Sequence, residues 1–225
     1  MIAKYVTNTY EIADAYSDIQ LFAKNAKVKI EPSNDDSTAL AIFEKKRYPY
    51  EFLVQEGVLI IQSQKKKWFH LLRVGVDHTE IKLCIPKSTV KKLCVKANVG
   101  AVVISSIACE SIDVQINTGK VDVCNTSCQS FYSKGNTGSI VLEKLNAAES
   151  VFAKRNTGNV LLNDCNAPNF FIQTNTGSVG GKLPLGTAFA VKTNTGKIEI
   201  PEIAIGEAVS AKCEIKTNTG NIKFE

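Results

Sequence analysis

The chain has 225 residues, an apolar share of 44% and a formal charge of +5, enough for a buried core and too little charge to specify nucleic acid as a partner. No apolar stretch approaches the roughly 18 residues of a membrane span, and Met1-Ile2-Ala3-Lys4 opens no basic head with an apolar run behind it, so the expected location is cytoplasmic or membrane-peripheral. Seven cysteines without paired C-x-x-C units read as reduced, mostly buried thiols and not as zinc ligands, and no cofactor is expected.

From the start of the chain, alternating apolar residues predict β-strands over 18–24, 27–32, 39–45, 51–55, 57–64 and 79–86, with Glu56-Gly57 as a hairpin turn. Residues 1–92 are therefore read as a β-rich cap and the start of the repeat region, continuous with residues 93–225. Inside this part, Lys65, Lys66, Lys67, Trp68 and Phe69 combine cations with aromatic rings, the composition of a patch that meets an anionic membrane surface. The plainer reading is a loop of solvated lysines with Trp68 covering the core. His70 and His78, close to Asp77 and Glu80, read as a solvated loop ahead of a metal site.

The remainder is periodic. Asn-x-Gly recurs at Asn98, Asn117, Asn136, Asn156, Asn175, Asn194 and Asn218, closed by Gly100, Gly119, Gly138, Gly158, Gly177, Gly196 and Gly220, with spacings of 19, 19, 20, 19, 19 and 24 residues. Apolar residues stand three and five positions before each Asn and four and six after it, two strands whose inward parity cannot run straight through the motif. The chain must turn at each motif, where Asn and Gly tolerate a left-handed backbone and stacked Asn amides can bond to one another. Such a unit buries its apolar face only against copies above and below, which predicts an all-β, single-stranded parallel β-helix of about 19-residue coils, right-handed by the crossover rule. Small residues at Cys109, Cys128, Ala147, Ala167 and Gly186 suit an inward corner on the third side. Cys109 and Cys128 fall on adjacent coils, with free thiols favoured over a disulfide. The incomplete last coil, with its insert over 201–209, predicts an exposed edge and a homodimer contact there.

Val28-Lys29-Ile30-Glu31-Pro32, Gly57-Val58-Leu59-Ile60-Ile61, Ile81-Lys82-Leu83-Cys84-Ile85-Pro86 and the Asn-Thr-Gly ladder after them resemble, in that order, the putative-adhesin or Toastrack family of bacterial β-strand-repeat proteins, a domain of unknown function. The resemblance spans nearly the whole chain. It implies a β-helix, a bacterial source and an envelope connection, and it supplies no catalytic residues.

No constellation in the sequence carries catalysis. Asp122 and Glu199 share an outward register but lie coils apart, and Glu143, Asp164 and Glu214 fall at other registers, whereas glycoside hydrolysis needs carboxylates about 5–10 Å apart. Thr174, Thr193 and Thr217 have inward parity, which argues against an ice-binding array. The expected function is a non-enzymatic binding or interaction module with a protein, envelope or anionic-surface partner. The alternative is a self-assembling cytosolic scaffold of bactofilin-like type.

Overall fold

The computed structural model describes residues 5–45, 49–63, 79–87, 90–202 and 208–225. The described residues are all-β, and the inward positions read from the repeat form the core. Val28, Val102, Val121, Ile140, Val160, Val179 and Ile222 are all buried in one column, and Ile19, Leu93, Ile112, Phe131, Val151 and Phe170 in another.

Fifteen-residue β2 (Asp18–Pro32) pairs in parallel with β7 (Lys92–Ser105), which pairs with β8 (Ser111–Thr137), which pairs with β9 (Ile140–Thr157). β10 (Val160–Asn163) and β11 (Asn169–Thr176) continue the ladder from two sides of the next layers. Partners such as Val102 and Val121 are one repeat apart in sequence. Each layer is thus one strand, a corner, a second strand and a return.

Two features depart from a purely parallel stack in sequence order. The sheet is mixed, because β3 (Thr38–Lys45) lies antiparallel on β6 (Thr79–Ile85), β1 (Tyr5–Ile12) antiparallel on β3, and β4 (Tyr50–Gln55) antiparallel on β5 (Val58–Ser63). β1 escapes the sequence pattern because Tyr-Val-Thr-Asn-Thr-Tyr has too little apolar alternation to register as a half-buried strand. The hairpin between β4 and β5 turns at Glu56 and Gly57, both with positive φ (52° and 74°), which only a two-residue turn of primed type demands.

The second departure is the order of layers. β12 (Val179–Lys182), β13 (Thr187–Thr195) and β14 (Ile198–Glu199) precede β15 (Ala211–Thr219) and β16 (Ile222–Phe224) in the chain. Yet β15 lies between β11 and β13, and β16 between β12 and β14. The last layer is inserted, so the expected edge at the C-terminal coil is corrected: the outer layer is Thr187–Glu199. Burial agrees, since Cys213, Ile215 and Ile222 are at most 1% exposed while Ile198 is 45% exposed and Phe189 and Val191 are only half-buried. The same swap occurs at the other end, where β2 sits between β7 and the later strands β5 and β6.

The corners divide labour between the two motif residues. The glycines carry the positive φ, 142° at Gly119 and 117° at Gly138, and a Cβ on either would overlap the backbone of the layer below. The asparagines have no positive φ and instead form the amide ladder. Asn117 donates to Asn98 (3.2 Å), Asn136 to Asn117 (2.6 Å), Asn156 to Asn136 (2.8 Å), Asn218 to Asn175, and Asn194 to Asn218 (3.2 Å). Thr174, Thr193 and Thr217 point inward and donate to the carbonyls of Gly158, Gly220 and Gly177, each at 3.1 Å. A second bend, absent from the sequence reading, stands eight residues after Asn at Ser106, Asn125, Lys144 and Asp164, all at φ between 48° and 57°.

Candidate binding face

On the first strand of each layer, outward residues stack into columns that run along the stack. Two before the corner Asn the column reads Lys96, Gln115, Lys134, Lys154, Gln173, Lys216, Lys192. Beside it, four before the Asn, stand Tyr132, Phe152 and Phe171 in consecutive layers. The Tyr132 and Phe152 rings stack on one another, centroids 4.8 Å apart and planes 8° from parallel, and Phe171 remains 44% exposed. This puts a cationic row beside an aromatic row on one flat surface.

The electrostatics of that surface differ from those of the second strands. There, several lysines are matched: Lys120 pairs with Asp122 (2.8 Å) and Lys223 with Glu199 (3.1 Å). Glu31 is held between Lys29 and Lys82, whose hydrogen bonds keep its carboxyl below the usual range. On the first-strand face, Lys216 pairs with Glu214, and Lys96 lies 6.0 Å from the centre of the Phe22 ring. Lys134, Lys154 and Lys192 have no ion-pair partner among the described residues.

Arg155 lies directly behind Lys154. It is 1% exposed and among the largest fully buried side chains, in a space left by Ser133, Gly135 and Ala153. Its guanidinium donates to the Lys154 carbonyl (3.0 Å) and to Ser133 Oγ (3.4 Å), while Nε has no partner. Burial pulls its pKa down to about 10, so it stays protonated at neutral pH with no carboxylate beside it. The sequence gives no hint of this charge beyond an Arg at an inward position of the repeat.

Between the lysine column and the Asn ladder runs a groove of ≈ 400 Å³, walled by Lys96, Lys134, Lys154, Asn117, Asn136 and Asn156. Of the residues singled out in the sequence, the Asn and Gly ladder forms this corner. Lys65, Lys66, Lys67, Trp68 and Phe69, with His70, Asp77 and His78, lie outside the described residues. Asp122 and Glu199 share a column but five layer steps separate them, one more than sequence order gives, or roughly 24 Å at the usual strand spacing. Among the described residues no group of three or more His, Cys, Asp and Glu side chains is placed to hold a metal. All seven cysteines are free, and burial pushes the thiols of Cys109, Cys128 and Cys213 up to about 12 and that of Cys165 to about 11.

Comparison with known families gives a match to Toastrack DUF4097 over residues 16–225. The chain belongs to this family. Among curated proteins, none matches it. Two solved structures share the Toastrack fold with it. One, called a putative adhesin from Bacteroides fragilis, has 19% identity and a TM-score of 0.54, over 99% of this chain and 97% of that one. The other, called a putative adhesin from Parabacteroides distasonis, has 12% identity and a TM-score of 0.55, over 99% and 98%. The chain is thus a Toastrack domain, and the likeness to these two structures is one of fold. Among its described residues, no helix is long and apolar enough to cross a membrane.

Proposed function

We propose that this Toastrack protein is a non-enzymatic binding module, and that the flat outer face of its first strands is the ligand surface. The carrying observation is the lysine column, in which Lys134 and Lys154 have no ion-pair partner among the described residues, beside the aromatic row and over a buried guanidinium that no acidic side chain among them balances. On this reading the layers wind as a right-handed, single-stranded β-helix of about 19-residue coils, whose repetition turns one residue choice into a row. An association with the bacterial envelope follows the adhesin names of its structural relatives, and the peripheral anionic surface expected of Lys65–Phe69 is a second place of contact. The test is sedimentation with a purified bacterial envelope fraction, comparing wild type with the variant Lys154→Gln/Phe171→Ser. Loss of co-sedimentation in the variant supports the reading, and equal sedimentation contradicts it.

A second reading rests on a different observation, the outer edge of β13 and β14, which pairs only toward the stack among the described residues. With antiparallel strands over the opposite end, this is the one parallel edge among the described strands. That favours a closed, two-fold dimer through this edge over the open filament of a bactofilin-like scaffold.

A further inference from the structure

We infer that the basic face takes a linear anionic polysaccharide laid along the stack, an inference that rests on this face being the ligand surface. Three observations point to that ligand class: charge, repeat distance and the chemistry of the walls.

The charge is uneven. On the second strands Lys29, Lys82, Lys120 and Lys223 are ion-paired with Glu31, Asp122 and Glu199, whereas Lys134 and Lys154 stand in adjacent layers without a carboxylate partner among the described residues. Arg155 adds a third positive charge sealed behind them. A buried cation with an unpaired Nε is costly, and an anion held over it in the groove offsets part of that cost.

The repeat distance suits a polymer. Lys134 and Lys154, and likewise Lys216 and Lys192, are one layer apart, about 4.8 Å, close to the length of one sugar ring, and the glutamines between these pairs keep the same layer spacing, so groups on successive sugars meet successive layers. A lipid headgroup surface has no such linear register to match.

The walls suit hydroxyl groups. Asn117 and Asn136 each spend one donor and one acceptor on the ladder and have another of each to offer at the groove they line, and Gln115 lies in the lysine column. Single-stranded nucleic acid, the other linear polyanion, is held by bases stacking on aromatic faces. Here Tyr132 and Phe152 already stack on each other, and Phe171 alone of the row is exposed.

The experiment is calorimetric titration with a galacturonate oligomer, an uncharged dextran oligomer of equal length, a single-stranded oligothymidylate and phosphatidylglycerol vesicles. Wild type is compared with Lys134→Gln/Lys154→Gln and with Lys120→Gln from the second-strand face, each checked for folding by its thermal melt. The expected result is that the galacturonate oligomer binds best, that the double variant weakens it by about tenfold and flattens its salt dependence, and that Lys120→Gln changes neither. Equal binding of the dextran oligomer, lost in the double variant, overturns the ligand class while keeping the face. Tighter binding of oligothymidylate or vesicles than of galacturonate overturns the class in the same way. Galacturonate binding that is absent in wild type, or unchanged in the double variant, overturns the inference; in the latter case the face fails with it.

Discussion

Arg155 is the residue whose environment is least expected from the sequence. Every other corner-preceding position in the stack is small, apolar or threonine, and only here does a full positive charge enter the core. Replacing a buried ion pair by apolar side chains of similar volume is often neutral or stabilising by about 1–4 kcal/mol, and an unmatched charge has no partner attraction to lose. Arg155→Met is therefore expected to melt at or above the wild-type temperature, at the low end of that range because Ser133 Oγ loses its donor. A clear drop in melting temperature would mean that the guanidinium is matched by something the described residues do not include. The thiols make a second prediction at this scale. Their folded pKa values lie above the ordinary thiol value of 9.0, at about 11 for Cys165 and about 12 for Cys128 and Cys213. The folded state thus holds protons that the unfolded chain gives up, so stability is full below pH about 9 and falls as pH rises toward 12. Denaturant melts between pH 8 and 11 check this, and a flat profile would contradict the burial of these sulfurs.

At the scale of the element, the corner glycines and the core columns were legible because both repeat with the same period. Parity alone placed Val102, Val121 and Ile140 inside, Thr174 and Thr217 with them, and forced a turn at each Asn. The second bend was not legible, because its left-handed position is filled by Ser106, Asn125, Lys144 and Asp164, which share a backbone conformation but no side-chain chemistry. The insertion of β15 was illegible for a deeper reason. Every layer has the same inward pattern, so Cys213 can stack on Phe170 or on Phe189 with equal local sense, and only the long connection between Glu199 and Ala211 lets it enter between them. That order has a measurable consequence. Phe131 is 1% exposed in an interior layer and Phe189 is half-buried in the outer one. Phe131→Ala should cost about 3–5 kcal/mol and Phe189→Ala less than half of that in chemical denaturation. Equal losses would return the stack to sequence order, with Phe189 interior.

For the whole molecule, the stacking that makes a core from identical units also makes surfaces from identical units. One residue choice per layer becomes a column, so five lysines distributed along more than a hundred residues of chain form a single row. The row was hidden in the sequence because no two of its members are closer than nineteen residues and Gln115 and Gln173 interrupt it. The cluster at Lys65–Phe69 is the more conspicuous one in the sequence, since adjacent cations are visible without a fold. The Toastrack membership leaves the ligand to be read from that surface.

Lysine-reactivity footprinting by mass spectrometry, with and without a purified bacterial envelope polysaccharide fraction, tests this account most directly, because lysines on every face report at once. Protection of Lys96, Lys134 and Lys154, with Lys120 and Lys223 unchanged, is the result the account predicts. Protection confined to Lys120, Lys223 or the outer layer's Lys197, with the first-strand row fully reactive, would contradict it.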